Sequence, residues 1–197
     1  VVQNSRNGVE LEIEGEAGAM QLFFAALHAE LPPLARIDTM EISDGMPAGF
    51  NEFTIIQSEK SDEKRALVSP DIAVCDNCLR EMQDPANRRY GYPFINCTDC
   101  GPRYSIIETL PYDRPNTSMR FFAMCKQCQA EYANPLDRRF HAQPISCFAC
   151  GPTLRLLDAA QNLLCEGTEA IATAAEALLK GKIVAVKGVG GFHLLCD

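Results

Sequence analysis

Nowhere does this 197-residue chain run to the roughly 20 consecutive apolar residues that a membrane-spanning helix requires, so no such helix is expected. It also lacks a basic start followed by an apolar core, and no secretory leader is expected. Nor does it have a surplus of positive charge. Lys and Arg number 18 against 26 Asp and Glu, a net charge of −8. That deficit is uneven. Residues 1–70 hold 5 basic and 12 acidic side chains, residues 71–152 hold 9 of each, and residues 153–197 hold 4 and 5. A nucleic-acid binder shows a basic face, and a neutral middle segment argues against one. The hydrophobic share of 47% is ordinary for a folded protein and argues against disorder. The chain opens Val-Val within a strand-like run and reads as a fragment of a longer protein.

What the chain has in quantity is cysteine, ten in all. Without a leader these thiols belong in the reducing cytoplasm, where they point to metal rather than to disulfides. Eight form two-residue-spaced pairs: Cys75/Cys78, Cys97/Cys100, Cys125/Cys128 and Cys147/Cys150. Shifted by fifty positions, the first four land on the last four. Pro85, Arg88, Arg89, Ile95, Gly101 and Pro102 land likewise on Pro135, Arg138, Arg139, Ile145, Gly151 and Pro152, and Tyr90 meets Phe140. The module is an internal duplication with four thiols per copy.

Two cysteines separated by two residues wrap a tight turn around one ion, and two such knuckles complete a tetrahedral four-sulfur site. Disulfides, buried free thiols and iron are the competing readings; structural zinc is the commonest outcome for this pattern. Two zinc ions on eight thiolates would add about −4 to the local charge. A closed four-thiolate site leaves no position for substrate, so both ions would be structural. Pairing within each copy is simplest, since each copy would then be self-contained; a cross-braced pairing stays open. Gly101 and Gly151, directly after a cysteine, are expected to let N–H groups turn toward sulfur. The arginine pairs read either as phosphate or acidic-tail binders or as structural groups. The structural reading pairs them locally with Asp84 or Asp137, or with backbone carbonyls, and is preferred. His141, present only in the second copy, is not expected to be a ligand, and His28 is expected at the surface.

The flanks read as α+β. Residues 1–58 suggest a hairpin about Ser5-Arg6-Asn7-Gly8 and a helix over 19–31 with the stripe Met20, Phe23, Phe24, Leu27 and Leu31, stopped by Pro32 and Pro33. Strands are expected over 35–42 and 53–56. Residues 59–70, including part of the charged run SEKSDEKR, read as a linker. The cysteine module occupies 71–152, with copies at 71–102 and 121–152. Over 153–197 come a hairpin and a helix at 168–180 with Thr168 as N-cap and Gly181 at C′. A buried-type strand at 182–187 and a glycine-rich turn into another strand follow.

The phrases DIAVCDNCLREMQDPANRRYGYPFINCTDCGPRYSII, RRFHAQPISCFACGP and GKIVAVKGVGGFHLLCD resemble the HypF family, carbamoyltransferases of [NiFe]-hydrogenase maturation. The resemblance covers the whole chain. It implies an acylphosphatase-like part of ferredoxin-like fold, lacking its beginning, over 1–58. Twin zinc fingers and the start of a YrdC-like nucleotide-binding domain follow. It places a catalytic, water-orienting asparagine at Asn4 and a nucleotide-binding motif at Lys187, Gly188, Gly190, Gly191 and His193. Carbamoyl phosphate and ATP as substrates, a HypE-type partner and two zinc ions go with it. The phosphate-gripping arginine loop of that family is absent from these residues, so the chain alone is expected to be inactive. By its residues alone, Asn4 is a hairpin residue and KGVGG an ordinary turn. Cys165 and Cys196 read as small core residues. A free-standing twin zinc-ribbon module that binds protein or nucleic acid is the alternative. A redox protein fits poorly, because redox C-x-x-C motifs come singly.

Overall fold

The computed structural model describes residues 1–5, 8–56, 69–188 and 191–197. The chain divides into two units, Val1–Leu67 and Val68–Asp197.

In the first unit, β1 (Val2–Ser5) and β2 (Gly8–Leu11) pair antiparallel, with Val2 opposite Leu11 and Asn4 opposite Val9. The expected hairpin is therefore present, although Arg6 and Asn7 of its turn lie outside the described residues. The pairing continues past β2: Glu12 N–H donates to Val1 O at 3.0 Å and the terminal ammonium donates back to Glu12 O at 2.8 Å. Helix α1 covers Ala17–Ala29. It is built on alanines with Met20, Leu22, Phe23, Phe24 and Leu27 among them, all helix-tolerant residues. It ends three residues before Pro32, in accord with that stop signal. None of its residues is buried, and His28 is exposed.

The closing strand β3 is only Ile55–Ile56, parallel to β1, giving the sheet order β2-β1-β3. The strand expected over 35–42 is not formed. Its alternation is real, but a strand needs a neighbour's hydrogen-bond ladder, and among the described residues no strand pairs with it. The following segment is instead tied back by Glu14, whose carboxylate accepts the N–H groups of Ala48, Gly49 and Phe50. The linker assigned to 59–70 lies, up to residue 68, outside the described residues.

The second unit opens with the duplicated module. Helices α2 (Asp76–Gln83) and α3 (Lys126–Ala133) are equivalent after the fifty-residue shift. The turns that follow are equivalent too. Asp84 accepts from Ala86 N–H at 2.9 Å and Asn134 from Leu136 N–H at 3.1 Å. Three residues on, Asn87 accepts from Arg89 N–H and Asp137 from Arg139 N–H. Short polar side chains that close Asx turns are thus kept at both positions. Next, Gly91 at φ +69° donates to Met82 O, and His141 at φ +53° donates to Tyr132 O. His141 stacks on the Tyr132 ring at 4.9 Å, and it belongs to neither group of converging ligand atoms.

Little of this module is an ordinary apolar core. One buried cluster is Cys78, Tyr92, Ile95, Cys97 and Cys100; the other is Cys128, Ala142, Ile145 and Cys147. Between the copies, 3-10 turns at Tyr104–Ile106, Arg114–Asn116 and Ser118–Phe121 are held by two buried arginines. Arg103 donates to the carbonyls of Cys97, Thr98, Cys100 and Pro102. Arg114 donates to those of Phe122, Gln143 and Ile145. A guanidinium with several donors can satisfy many loop carbonyls at once, the role a ladder plays in regular structure.

Beyond the module, β4 (Arg155–Leu157) and β5 (Leu163–Glu166) form a hairpin against which α4 (Gly167–Leu179) packs. The helix is not capped by Thr168. Glu166, still extended at φ −131° and ψ 166°, is the N-cap, because β5 runs straight into the helix. Gly181 does take the left-handed conformation expected at C′, with φ +70°. Strands β6 (Val184–Gly188) and β7 (Gly191–Leu195) pair antiparallel. Cys165 is half-buried, with Thr173 Oγ1 at 3.7 Å. Cys196, just past β7, is exposed, so it is not the core residue expected.

Candidate metal centres

Each centre is built from a helix start and a tight turn. Cys75 is the N-cap of α2 and Cys78 lies in its first turn; Cys125 and Cys128 stand the same way on α3. This explains why no glycine follows Cys78 or Cys128: the chain continues helically through Leu79 and Gln129, whose N–H groups bond to Cys75 O and Cys125 O. It also places sulfur at a helix N-terminus, where the partial positive charge favours thiolate. Cys125 is held down to about 6, first by the backbone N–H of Cys128. Cys97 is likewise held low, by its hydrogen bond with Cys78 and by Asp99 N–H at 3.3 Å, while Cys78 is pushed up.

The sulfurs converge within copies, not across them. Cys75, Cys78, Cys97 and Cys100 form one set and Cys125, Cys128, Cys147 and Cys150 the other, each with all ligand atoms within 4.8 Å. The Sγ···Sγ distances are 3.7 Å for Cys75–Cys97, 3.9 Å for Cys97–Cys100 and 3.6 Å for Cys78–Cys100. In the second set they are 3.8 Å for Cys125–Cys147, 3.7 Å for Cys147–Cys150 and 3.5 Å for Cys128–Cys150. A tetrahedron of sulfurs at a Zn–S bond of about 2.3 Å has edges of about 3.8 Å. A disulfide would bring two sulfurs to about 2.05 Å, and all these cysteines are free. Two four-cysteine clusters of this size and donor type fit structural zinc.

Beside Gly101 an N–H does meet sulfur, that of Asp99 at Cys97 Sγ, but the glycines' own N–H groups go elsewhere. Gly101 N–H donates to Ile72 O at 2.9 Å and Gly151 N–H to Cys147 O at 2.8 Å, not to sulfur. What requires glycine is space. A Cβ on Gly101, already at φ +95°, would lie 2.6 Å from Asn96 Cβ. One on Gly151 would lie 2.1 Å from Tyr92 Oη and 2.5 Å from Ser146 Cβ.

The arginine pairs are structural and reach backbone carbonyls as expected, Arg89 that of Ser146 and Arg139 that of Asn96, but their carboxylate partners are not the nearby aspartates, whose Oδ1 atoms accept turn N–H groups. The arginine pairs cross between the copies. Arg88 and Arg89 both end on Glu131, with Arg88 Nη2 at 2.7 Å from Oε2. Arg138 and Arg139 both end on Glu81, with Arg138 Nε at 3.1 Å from Oε1. Burial tends to raise the carboxyl of Glu131, yet the two guanidiniums overcome it and hold the group down to about 2. Glu81 is lowered against the same opposition. The guanidiniums also donate to sulfur: Arg88 and Arg89 to Cys128 Sγ at 3.3 and 3.5 Å, and Arg138 to Cys78 Sγ at 3.1 Å. The copies are therefore not self-contained. Glu81 and Glu131 were not singled out from sequence, although they too are fifty residues apart.

The remaining site residues fall in two places. Asn4 lies on β1, opposite Val9. Lys187 and Gly188 on β6 and Gly191 and His193 on β7 gather at one hairpin end. There Lys187 is opposite Phe192, Val186 opposite His193, and Gly188 opposite Gly191; Gly190 lies outside the described residues. No helix among the described residues is long and apolar enough to cross a membrane.

Two family models match the chain: the HypF finger, over residues 74–107 and again over 124–157, and acylphosphatase, over residues 1–55. Carbamoyltransferase HypF2 of Cupriavidus necator is 52% identical over 198 residues, covering 100% of this chain and 24% of that protein. Carbamoyltransferase HypF of Synechocystis is 50% identical over 196 residues, covering 100% of this chain and 25% of that protein. A crystal structure of full-length HypF in its phosphate- and nucleotide-bound form superposes with a TM-score of 0.82 at 44% identity, over 100% of this chain and 25% of that one. That of T. kodakarensis HypF gives 0.81 at 46%, with the same coverage. The chain thus spans about a quarter of the length of the relatives it matches. An acylphosphatase-like segment beside a twice-repeated finger with two four-cysteine clusters, at about half identity throughout, establishes that the chain belongs to the HypF family.

Proposed function

We propose that this chain is part of a carbamoyltransferase acting in [NiFe]-hydrogenase maturation. The observation that carries the reading is identity of 50–52% along the whole chain to curated carbamoyltransferases of that family. In this reading carbamoyl phosphate is hydrolysed to carbamate and phosphate at the acylphosphatase-like site. Carbamate attacks ATP to give carbamoyl-AMP and pyrophosphate. The carbamoyl group then passes to the C-terminal cysteine thiol of a HypE-type partner, releasing AMP, as the precursor of the iron's cyanide ligands.

Asn4 would orient the attacking water from β1. Residues 153–197 would begin the YrdC-like nucleotide domain, with Lys187 neutralising phosphate charge and Gly188, Gly190, Gly191 and His193 lining the approach. The eight-cysteine module at 71–152, loaded with two zinc ions, would be a rigid spacer between the two chemistries. No glycine-rich arginine loop occurs among these 197 residues, so the chain alone is expected not to hydrolyse carbamoyl phosphate. The metal-type spacing of the cysteine array supports a cytoplasmic setting. The free-standing zinc-ribbon alternative rests on the cysteine array alone.

The test is a chimera in which this chain replaces the matching quarter of the Cupriavidus necator relative. It is expected to retain carbamoyl-phosphate-dependent release of pyrophosphate from ATP. Asn4→Ala should lower carbamoyl-phosphate hydrolysis at least about tenfold, and Lys187→Ala should weaken ATP use. An Asn4→Ala chimera hydrolysing at the unchanged rate would remove Asn4 from the mechanism. A chimera inert with carbamoyl phosphate, while the unaltered relative is active, would count against the whole reading.

A further inference from the structure

We propose that the two metal sites are energetically linked, each holding its ion at full affinity only while the other is filled. The guanidinium pair that hydrogen-bonds each set of thiolates is carried by the opposite copy.

The connection can be followed atom by atom. In the second copy, residues 129–146, the rest of α3 included, form the segment between Cys128 and the knuckle Cys147/Cys150. An ion on those four cysteines fixes both ends of that segment, which carries Arg138 and Arg139. Arg138 donates to Cys78 Sγ at 3.1 Å and, more distantly, to Cys75 Sγ at 3.9 Å. Arg139, 4% exposed, donates to Asn96 O at 3.0 Å, the residue just before Cys97, and both arginines clamp Glu81 on α2. Thr98, between Cys97 and Cys100, adds two bonds to Arg138 O, from its N–H at 3.2 Å and its hydroxyl at 2.9 Å. The first ion's surroundings thus rest on a segment that the second ion holds in place.

The reverse path repeats the arginine and glutamate contacts shifted by fifty, while Phe148, at the position of Thr98, has no hydroxyl to add. Arg88 and Arg89, on the segment between Cys78 and Cys97, donate to Cys128 Sγ and clamp Glu131 on α3. Arg89, 2% exposed, reaches Ser146 O at 2.9 Å, the residue just before Cys147. A four-thiolate zinc site carries two net negative charges, and N–H donors aimed at the sulfurs spread that charge. Removing one ion frees the segment that bears the donors. The other site then loses its guanidinium hydrogen bonds to sulfur and its carboxylate is left half-buried without a partner, which is costly. Linkage makes the effect reciprocal. Loss of groups that support metal ligands from behind commonly weakens metal binding about 10–100-fold, and this sets the expected size of the coupling.

The linkage does not depend on carbamoyl transfer, and neither do its tests. The reduced, metal-free 197-residue chain is mixed with one equivalent of zinc and analysed by native mass spectrometry. Linked sites give mainly metal-free and two-zinc chains; a dominant one-zinc species would overturn the proposal. A second measurement uses Cys125→Ser/Cys128→Ser, which abolishes one site. The surviving site should bind Co²⁺, read by its thiolate charge-transfer band against a competing chelator, at least about tenfold more weakly than wild type. Wild-type affinity there would refute the linkage. Since this variant could fail to fold, Arg138→Lys keeps all eight cysteines. In the cadmium-loaded protein it should shift the ¹¹³Cd resonance of the first-copy site and weaken that site's metal affinity about tenfold or more. An unmoved resonance with unchanged affinity would show that Arg138 is packing alone and overturn the proposal.

Discussion

Arg89 donates its Nε to the carbonyl of Ser146 at 2.9 Å, although 57 residues separate them, and Arg139 repeats the bond to Asn96 at 3.0 Å. Each arginine thus reaches from its own copy to the residue just before a metal-binding knuckle of the other.

Arg89→Ala removes a buried guanidinium and leaves Ser146 O and half of the Glu131 pairing unmet. Breaking one side of a buried ion pair costs about 3–5 kcal/mol, and a loss in that range is expected in denaturant unfolding of the zinc-loaded chain. Arg89→Lys should recover little, because one ammonium cannot serve Ser146 O and Glu131 together. Full recovery by lysine would show that charge alone suffices.

Chelation should unfold residues 71–152. Structural zinc in small domains contributes on the order of 10–16 kcal/mol, more than the two small buried clusters can replace. Far-ultraviolet circular dichroism before and after exhaustive chelation measures this; an unchanged spectrum contradicts it.

Gly151→Ala places a methyl group 2.1 Å from Tyr92 Oη. A loss of about 1–3 kcal/mol is expected. The double variant Tyr92→Phe/Gly151→Ala should lose less than the sum of the single changes, since the phenylalanine lacks the clashing oxygen. Strict additivity would locate the strain elsewhere, at Ser146.

Acid acts on the clamp in a definite direction. Glu131 is held down to about 2 in the folded chain, from 4.5. Its stabilising contribution is present above the unfolded value and is lost as pH falls from there through the folded one. The zinc thiolates protonate in wild type and in Glu131→Gln alike, so the difference in unfolding free energy between the two isolates the carboxylate. That difference should stay level from pH 7 to about 5 and shrink below about 4.5. A difference that grows on acidification would contradict the assignment.

The cysteine pattern carried the two clusters because ligand spacing is a local property: Cys75 and Cys78 must share a helix start whatever surrounds them. Hairpins such as Val2–Ser5 with Gly8–Leu11 were legible for the same reason. The strand expected over 35–42 was not formed, because pairing depends on a neighbour rather than on alternation. The partners of Arg88 and Arg139 were hidden because an ion pair has no sequence periodicity. Asp84 and Asp137 looked nearer along the chain, yet each turns its Oδ1 to a local turn N–H group. Repetition offered one usable clue: the shift that aligns the cysteines also aligns Glu81 with Glu131.

The crossed clamps bear on how such a module can be divided. A copy excised between residues 103 and 124 would keep four cysteines but lose its guanidinium donors to sulfur and expose a carboxylate meant for another chain segment. It would tend to recover them from a second identical copy. Dissection should thus produce self-associating halves rather than independent fingers, and a transplanted finger would need its twin. In that sense the duplication made one indivisible object out of two repeats.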